Sequence, residues 1–294
     1  MSYTPTAKSY FSGGGLMDLG LLNAGIDIIQ SLEIDLTCVE TLKRNFSHKI
    51  IHTDIKDQKV LDQPKSDIIV GTYPCKRYST IADIHGTRTG EELFLHFFRH
   101  IALEKPEMYI CENVPGMKKF QIVMEAMTKL PDYYVNVFCP VNALNWLPQD
   151  RKRLIIFGTK KRFSINPPKN QKRVLLSDII EECPEMEIPD HVLNRIQGKY
   201  RDYPIVSDPY DPNSVAPTCV AHYAKDRSTR LVKDRSHPLG VRPYSVKEYA
   251  RLQGVPDSFY FSGGDNDAYR MIGNGVPVNL AEWIGNEAIK YFNV

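Results

Sequence analysis

A cysteine that follows a proline is the residue of this chain best suited to covalent chemistry. Cys75 comes just after the apolar stretch Asp67–Gly71 and directly after Pro74, and Lys76 and Arg77 follow it. A thiolate is a strong nucleophile near neutral pH, and neighbouring cations favour the thiolate over the thiol. A buried, inert cysteine is the more common fate of this residue type, but such a thiol rarely has Lys and Arg beside it. The pattern therefore favours Cys75 as a nucleophile.

Two polar stretches could place a proton or an anion-binding group beside such a nucleophile. Glu112 ends the apolar run Met108–Cys111, where a carboxylate can hold a proton against a ring nitrogen. Arg151 and Arg153 precede another apolar run, and strand alternation would turn both guanidinium groups to one face, where they suit an anion or a carbonyl oxygen. Taken locally, an exposed turn acid and a solvated basic turn explain these stretches equally well.

A glycine-rich loop near the start of the chain indicates a nucleotide-like ligand. Gly13 and Gly15 follow Phe11 at the end of a short β-prone stretch, and glycines there let the backbone approach a ligand closely. Glu33 lies about 20 residues further on, at the end of the next predicted strand, where a carboxylate can bind ribose hydroxyls. Asp54 follows a third stretch and could accept a hydrogen bond from an adenine amino group. An ordinary strand–helix turn and a helix-capping aspartate remain the alternatives.

Short apolar stretches alternate with amphipathic ones over the first 160 residues, which predicts strands alternating with helices. The predicted strands are Ser9–Phe11, Ile26–Ile34, Asp67–Gly71, Met108–Cys111 and Arg153–Gly158, and the predicted helices are one from Leu16 to a C-cap at Gly25, Thr37–Phe46 and Leu93–Leu103. This alternation indicates an α/β fold with a doubly wound, mostly parallel sheet. Ligands of such sheets bind beyond the carboxyl ends of the strands.

Two further helix signals stand near the end of the chain. Ser245 and Glu248 have the spacing of a capping box, which predicts a helix that begins after Ser245. Gly273, Asn274 and Gly275 predict a tight turn before a second helix. Neither signal indicates chemistry when taken alone.

The composition is that of a globular protein. The 294 residues are 42% apolar and 24% charged, which predicts one large or two ordinary domains and excludes a disordered chain. A balance of 37 basic against 35 acidic side chains excludes a histone-like polycation. Residues 160–260, however, hold 17 basic against 13 acidic side chains and much proline, which predicts an irregular region with a basic surface.

Cysteine spacing and hydropathy predict the compartment. The six cysteines form no CxxC or CxxxC pair, so neither a zinc site nor a disulfide scaffold is expected. No apolar run approaches the roughly 18 residues that span a bilayer, and the N-terminus lacks the pattern of a secretory signal. These features predict a reducing, intracellular location and no bound metal.

The order of the motifs carries more information than any one of them. The chain runs through FSGGG, EID, TDI, YPCKRYS, ENVPG, QDRKR, RPYSVKEYARLQGVPD and IGNGVP. In this order the motifs resemble the DNA cytosine-5 methyltransferase family from about residue 8 to 284. The chain departs from the usual family pattern at three positions: Lys76 stands where Gln is usual, Tyr78 where Phe is usual, and Leu16 where a glycine is often found.

The resemblance implies a Rossmann-like fold of two domains. It assigns residues 1–160 and 263–294 to a catalytic domain that binds S-adenosylmethionine, and residues 161–262 to a small, irregular target-recognition domain. The short second segment predicts a small recognition surface and a short target site.

The resemblance also implies methyl transfer to C5 of a flipped-out cytosine in double-stranded DNA. Cys75 would add to C6 of the base, and Glu112 would hydrogen-bond to N3 and the exocyclic amine. Arg151 would contact the cytosine carbonyl, while Arg153 would support the loop or a phosphate. Phosphate contacts are expected from the basic run at 225–235 (KDRSTRLVKDR).

S-adenosylmethionine is the implied methyl donor. Phe11 and Ile34 would pack on its adenine, Glu33 would bind the ribose hydroxyls, and Asp54 would accept from the adenine amine. The full set of residues expected to line the cofactor site is Phe11, Gly13, Gly15, Glu33, Ile34, Asp54, Pro74, Leu93, Asn274 and Val276.

The expected partner is double-stranded DNA, and the expected state is a monomer in the cytoplasm of a prokaryote or a phage-infected cell. Whether a cognate restriction nuclease accompanies the protein stays open. Three rival interpretations also stay open: methylation of cytosine in RNA on the same scaffold, a DNA-binding protein without catalysis, and a dinucleotide dehydrogenase. The last of these leaves the YPCKRYS and ENVPG motifs without a role.

Overall fold

The structure is a computed structural model that describes residues 3–74, 91–169, 173–182, 184, 186, 188–198, 202 and 204–294. Packing divides the chain into two compact units. The first comprises residues 1–142, 152–168 and 281–294, and the second comprises residues 143–151 and 169–280. Cys75, Lys76, Tyr78 and Cys183 lie outside the described residues.

The first unit is built on a sheet of seven strands. Their order is β3-β2-β1-β4-β5-β8-β6, and β1 to β5 run parallel while β8 is antiparallel to β5 and to β6. The strands are β1 Thr6–Tyr10, β2 Asp27–Glu33, β3 Lys49–His52, β4 Ile68–Gly71, β5 Met108–Asn113, β6 Tyr134–Asn142 and β8 Lys152–Thr159. This arrangement confirms the predicted α/β fold with a mostly parallel sheet.

Helices cover the sheet, and local signals set their ends. A C-cap at Gly25 with φ of 97° ends α1, and the Asp35 carboxylate caps α2 by accepting from Cys38 N. The helices are α1 Leu16–Ala24, α2 Leu36–Asn45, α3 Glu91–Glu104, α4 Gln121–Thr128 and α8 Val278–Phe292, of which the residues from Ala281 onward belong to the first unit. The predicted helices and strands of this region are confirmed, with ends shifted by one to three residues.

The core lies on both faces of this sheet. On one face, α3 and α4 pack on the strands, and Gly71 is required because a Cβ there would lie 2.2 Å from the Phe97 ring. Trp283 of α8 packs edge-to-face against Phe157 of β8 and Phe138 of β6, at ring distances of 5.7 and 5.6 Å. Because residues alternate along β8, Leu154 and Ile156 join the α3–α4 core while Phe157 meets Trp283.

The second unit has two small sheets. One contains β9 Ile205–Ser207, β11 Arg230–Lys233 and β12 Val241–Pro243, and the other pairs β7 Gln149–Asp150 with β10 Ala216–Pro217. Its helices are α5 Asp190–Gln197, α6 Val246–Arg251 and α7 Asp265–Asn274. The capping box of Ser245 and Glu248 is confirmed at the start of α6. Gly273 and Asn274 belong to the last turn of α7, so the predicted turn begins only at Gly275.

A buried arginine organises the second unit. Arg242 is 2% exposed, and its guanidinium donates to the Asp234 carboxylate at 2.5 Å and to both Glu248 oxygens at 2.8 and 2.7 Å. Because Glu248 also caps α6, this cluster joins β12 to the start of that helix. A buried charge of this kind is tolerated only because its donors are all paired.

The two compact units divide the chain differently from the predicted domains. Residues 143–151 and 263–280 group with the second unit, and residues 161–168 group with the first. Packing alone assigns no role to either unit, so a catalytic and a target-recognition domain stay a prediction. No helix within the described ranges has the length and apolar character needed to cross a membrane.

One buried histidine of α3 is held in its neutral form. The His100 ring is 0% exposed and packs against Tyr10 with ring centroids 4.5 Å apart and the planes tilted by 43°. Neither ring nitrogen has a hydrogen-bond partner among the described residues. Burial, reinforced by the positive charges of Arg99 and Lys8, lowers the pKa of His100 to about 3. The unfolded chain therefore binds a proton at this histidine before the folded chain does.

Replacing His100 with phenylalanine should reduce the acid sensitivity of the fold. Because the folded pKa lies below the unfolded value, the stabilisation is present above about pH 6.5 and is lost as the pH falls toward 3, by about 2–3 kcal/mol at pH 4.5. Urea unfolding of wild type and His100→Phe at pH 7 and pH 4.5 measures this loss. An equal loss of stability in both proteins would show that His100 does not titrate in this way.

Candidate active site

The glycine loop between β1 and α1 turns on three left-handed residues. Phe11, Gly13 and Gly15 have φ of 59°, 55° and 84°. A Cβ at Gly15 would lie 2.5 Å from the Phe46 ring, so that glycine is fixed by packing. The Cβ position of Gly13 has no atom within 4 Å, which leaves the loop open on that side. The loop is therefore packed against the protein at Gly15 and open at Gly13.

Glu33 connects this loop to the end of β2. Its Oε2 accepts from Gly13 N at 2.7 Å, and its Oε1 accepts from Ile34 N and Asp35 N at 2.9 Å each. A carboxylate offers about four acceptor positions, so one remains on Oε2 for a further donor. The side chain is 8% exposed, which keeps that position well oriented.

Parallel pairing brings the other predicted cofactor residues of the first unit to the same edge of the sheet. Backbone bonds continue past the strand ends, from Ser12 N to Leu32 O, Thr53 N to Glu33 O and Thr72 N to Tyr10 O. This edge carries the loops that contain Phe11, Glu33, Ile34, Asp54 and Pro74. Leu93 packs half-buried against the α3–α4 core.

This edge fits an adenosine-like group in the chemistry of its side chains. Ile34 is 59% exposed although it is aliphatic, and it directly follows the Glu33 carboxylate. Asp54 is half-buried, and its Oδ1 accepts from Lys56 N, which orients the carboxylate. An exposed apolar surface between two oriented carboxylates suits a flat base and a ribose diol.

Glu112 and Arg153 form a buried ion pair at the end of β5. Arg153 Nε lies 2.9 Å from Glu112 Oε1, and the two residues are 9% and 6% exposed. The antiparallel register of β5 and β8 places them side by side, with Glu112 opposite Ile155 and Asn113 opposite Leu154. Arg153 Nη1 also donates to Lys152 O, which fixes the guanidinium plane. The sequence predicted both residues for the site, but it did not predict that they pair.

The chain that leads to Cys75 is anchored beside this pair. Asn113 Nδ2 donates to Tyr73 O at 3.2 Å, and the buried Tyr73 hydroxyl contacts Met117 Sδ at 2.9 Å. Thr72 Oγ1 donates to Phe11 O at 2.9 Å, which joins the same segment to the glycine loop. The structure therefore fixes the backbone two residues before Cys75, and Cys75 itself lies outside the described residues.

Arg151 has a different environment from Arg153. It is 1% exposed, and its guanidinium donates to Cys219 O at 2.5 Å, Gly273 O at 3.0 Å and Gly275 O at 2.7 Å, all within the second unit. Lys152 is exposed between the two buried arginines, as the predicted alternation requires. The predicted contact of Arg151 with a substrate carbonyl is not favoured, because these backbone carbonyls already occupy its guanidinium.

Two glutamines extend the Arg151 cluster, and sequence reasoning did not single them out. Gln149 is fully buried, accepts from Cys219 N at 2.9 Å and donates to Leu252 O at 2.7 Å. Gln253 donates to Ile272 O at 2.7 Å and to Gly275 O at 3.1 Å. Their presence in the QDRKR and RLQG motifs was the available signal.

These bonds hold the turn that carries two of the predicted cofactor residues. Asn274 is exposed at the end of α7, and Val276 is buried one residue beyond Gly275. Arg151 and the two glutamines thus fix the backbone on either side of Asn274. Both residues belong to the second unit, and their predicted role in binding a cofactor stays a prediction.

The basic run at 225–235 is largely engaged with other protein groups. Arg227 is 8% exposed, lies 4.7 Å above the Tyr269 ring and donates to Asn266 Oδ1. Arg230 donates to Thr218 O, and Lys233 forms an ion pair with Asp208 at 2.5 Å. Lys225 and Arg235 are exposed, although Arg235 also lies over the Tyr210 ring. The surface available to phosphates is smaller than the sequence suggested.

Replacing Arg151 with methionine should destabilise the second unit. The variant removes the guanidinium donor of Cys219 O and Gly273 O and one of the two donors of Gly275 O, which Gln253 also contacts. This loss should lower the free energy of unfolding by about 3 kcal/mol. Fluorescence of Trp146, which lies in the same unit, reports this unfolding in urea. Lys152→Met is the matched control, because Lys152 is exposed and should change stability by less than about 0.5 kcal/mol. Unchanged stability in Arg151→Met would contradict the structural role.

The chain is similar to known enzymes over nearly its whole length. Residues 6–290 match the family of C-5 cytosine-specific DNA methylases. Type II methyltransferase M.FnuDI of Fusobacterium nucleatum is 28% identical over 93% of this chain and 91% of its own length. Type II methyltransferase M.MthTI of Methanothermobacter thermautotrophicus is 29% identical, with 96% of each chain covered.

Solved structures confirm the Rossmann-like methyltransferase fold. A methyltransferase of Entamoeba histolytica, EhMeth, superimposes with a TM-score of 0.78 at 16% identity, covering 99% of this chain and 98% of that one. A DNA modification methyltransferase encoded within an Escherichia coli prophage gives a TM-score of 0.74 at 21% identity, covering 99% of this chain and 100% of that one. The family match over residues 6–290 shows that the chain belongs to the C-5 cytosine-specific DNA methylases, enzymes that use S-adenosylmethionine to methylate cytosine in DNA.

Proposed function

We propose that this enzyme methylates cytosine in double-stranded DNA with Cys75 as the nucleophile and the Glu112–Arg153 pair as the groups that hold the cytosine ring. The observation that carries the proposal is the position of this buried pair. It lies at the end of β5, next to the Asn113 side chain that holds the backbone of Tyr73 two residues before Cys75. The covalent cysteine mechanism is general for the family, and Cys75 occupies its Pro-Cys motif.

The Cys75 thiolate is needed because C5 of cytosine by itself is a poor nucleophile toward a methyl donor. The Cys75 thiolate forms a bond to C6, and the electron pair of the C5–C6 double bond becomes available at C5. S-adenosylmethionine, when bound, supplies an electrophilic methyl group on a sulfonium. After methyl transfer to C5, a base removes the C5 proton, the C6–S bond breaks, and the double bond and the thiolate are restored.

Glu112 and Arg153 stabilise the ring while this charge develops. The Glu112 carboxyl group hydrogen-bonds to N3 and the exocyclic amine, where addition of the thiolate places electron density. Arg153 is bound to Glu112 through Nε and to Lys152 O through Nη1, which directs the contact with the cytosine carbonyl to Nη2. We therefore assign the carbonyl contact to Arg153 and treat Arg151 as a positioning residue for the turn around Asn274.

The cofactor residues supported by the structure lie at the carboxyl edge of the parallel strands. Glu33 uses its remaining acceptor position for a ribose hydroxyl, and Asp54 accepts from the adenine amine. Phe11 and Ile34 would pack on the adenine. Gly13 lets the backbone approach the cofactor, since its Cβ position is open. Gly15, Pro74 and Leu93 complete the proposed site of the first unit, to which we assign no metal. The cofactor contacts of Asn274 and Val276, which belong to the second unit, stay a prediction.

Reaction inside a duplex requires the target base to leave the stack. Flipping a base costs a few kcal/mol, which phosphate contacts must offset. We assign these contacts to exposed basic side chains of residues 161–262, the proposed target-recognition domain, with Lys225 and Arg235 among them. We further propose that the enzyme acts as a monomer in the cytoplasm. A cognate nuclease would be a second enzyme of the same restriction-modification system and would not bind at the active site.

A comparison of duplex DNA with transfer RNA as substrates distinguishes the proposed DNA methylation from RNA methylation. Incubation of the purified enzyme with radiolabelled S-adenosylmethionine should transfer label to duplex DNA and not to transfer RNA. Bisulfite sequencing of DNA from cells that express the chain then gives the target site. Label in transfer RNA alone would overturn the assignment of the substrate, and label in neither would support a DNA-binding protein without catalysis.

Replacing Cys75 with serine should abolish methyl transfer, because a serine hydroxyl is far less ionised near neutral pH. A duplex that carries 5-fluorocytosine at the target should trap the wild-type enzyme covalently, since fluorine cannot leave C5 as a proton does. Cys75→Ser should form no adduct on a denaturing gel, while its affinity for DNA should change by less than about threefold, since phosphate contacts dominate that affinity.

Two other thiols provide matched controls. Cys111 is fully buried, and burial raises its pKa to about 12, so it is not a nucleophile. Cys139 is half-buried and more accessible, with a pKa that burial also raises. Cys111→Ala and Cys139→Ala should both form the adduct. An adduct that persists in Cys75→Ser would assign the reaction to another nucleophile.

A further inference from the structure

Phe11 is held in a backbone conformation that residues other than glycine rarely adopt. Its φ is 59°, and it lies between β1 and the open glycine of the loop. A bulky residue in the left-handed region persists only where the surrounding structure enforces it. The conformation turns the chain so that Phe11 stays half-exposed at the carboxyl edge of the sheet, with its ring 6.3 Å from that of Tyr73. The bonds that enforce it therefore decide where the Phe11 ring lies.

Backbone groups on both sides of Phe11 are fixed by neighbouring strands. Thr72 Oγ1 donates to Phe11 O at 2.9 Å, and Ser12 N donates to Leu32 O at 3.2 Å. Gly13 N donates to Glu33 Oε2 at 2.7 Å. These three bonds hold the loop from β4 and β2, which flank β1 on either side.

A chain of hydroxyl groups links the same loop to the Asp18 carboxylate. Ser9 Oγ donates to Asp18 Oδ1 at 2.5 Å, and Ser12 Oγ lies 2.9 Å from Ser9 Oγ. A hydroxyl has one proton, and Ser9 gives its proton to Asp18. Ser9 Oγ is thus the acceptor in its contact with Ser12 Oγ, which also lies 3.3 Å from Ser9 O, and the residue directly after Phe11 is linked through Ser9 to the Asp18 carboxylate.

The second oxygen of Asp18 has a matching set of partners. Ser31 Oγ donates to Asp18 Oδ2 at 2.7 Å, and His48 Nε2 lies 2.7 Å from Ser31 Oγ. By the same count of protons, Ser31 accepts from His48, which requires the proton on Nε2. Asp18 is 0% exposed, so each of its oxygens is satisfied by a buried serine. The carboxylate joins α1, β1 and β2 directly beneath the glycine loop.

We infer that Asp18 is a positioning residue for the methyl donor, because through Ser9 and Ser12 it holds Phe11 in the left-handed conformation that presents its ring to the adenine. This inference rests on the proposed cofactor site, in which Phe11 packs on that adenine. Asp18 does not touch the cofactor. It acts through the hydroxyls of Ser9 and Ser12, which connect it to the loop.

A double-mutant cycle between Ser9 and residue 11 tests this role. Ser9→Ala should weaken binding of S-adenosylhomocysteine about tenfold by calorimetry, raise the KM for S-adenosylmethionine similarly, and leave kcat within about twofold. Glycine adopts positive φ without strain. Phe11→Gly should bind more weakly because the ring is lost, and Ser9→Ala should then change its affinity by less than twofold. Equal effects of Ser9→Ala in both backgrounds would overturn the inference, since a general loss of packing would be additive.

Hydrogen exchange in the ligand-free protein gives a readout that does not depend on binding. Ser9→Ala should speed exchange of the Ser12 and Gly13 amides at least tenfold, because their bonds to β2 depend on the loop conformation. Thr159→Val is the matched control: it removes a buried hydroxyl that bonds to Tyr134 O in β6, and exchange at Ser12 and Gly13 should not change. Unchanged exchange in Ser9→Ala would also overturn the inference.

Asp54→Ala separates this inference from the proposed cofactor site, because the Asp54 carboxylate bonds to Lys56 N and not to the glycine loop. If Asp54→Ala weakens binding of S-adenosylhomocysteine and Ser9→Ala does not, the site stands and the role of Asp18 is wrong. If neither variant weakens binding, the proposed site itself is wrong. Asp18→Asn provides a second variant, and we expect it to reproduce the affinity and exchange changes of Ser9→Ala.

Discussion

The parallel pairing of β1 with β2 and β4 is the constraint on which the site of the first unit depends. Parallel strands end at the same edge of a sheet, so the loops after β1, β2, β3 and β4 all lie at that edge. Hydrogen bonds continue this pairing past the strand ends, from Ser12 to Leu32 and from Thr72 to Tyr10. Each loop is thus held by its neighbour. The Glu33 carboxylate completes the arrangement by bonding to the glycine loop and to its own chain at once.

Three clusters in the described part of the chain pair a buried charge with a fixed partner, as the cost of desolvation demands. Lys8 of β1 pairs with Glu104 of α3, Arg153 pairs with Glu112, and Arg242 pairs with Asp234 and Glu248. The three clusters differ in what they leave unused. Arg242 directs its guanidinium to protein groups throughout, whereas Arg153 contacts Glu112 through Nε and Lys152 O through Nη1, and its Nη2 is the group that we assign to the cytosine carbonyl. That difference separates a structural cluster from a candidate active site.

The two arginines of the QDRKR stretch show how little sequence spacing says about role. Arg151 and Arg153 are both buried and lie two residues apart. Arg153 belongs to β8 and meets the end of β5 through the antiparallel register. Arg151 lies just before that strand and bonds to three carbonyls of the second unit. Their side chains are chemically identical, so only the backbone that surrounds each one determines whether it faces a ligand or a turn.

Sequence alone determined the α/β class, about half of the strand and helix positions, and the residues at the strand ends. These follow from hydrophobic periodicity, capping residues and glycine positions, which act over a few residues and are visible in the chain. Motif order determined the family. Tertiary structure decided that Glu112 pairs with Arg153, that Arg151 holds a turn, and that Ser9 and Ser31 converge on Asp18. Those contacts join residues that are distant in the chain or lie on different strands, so their geometry depends on register and packing that no local pattern encodes.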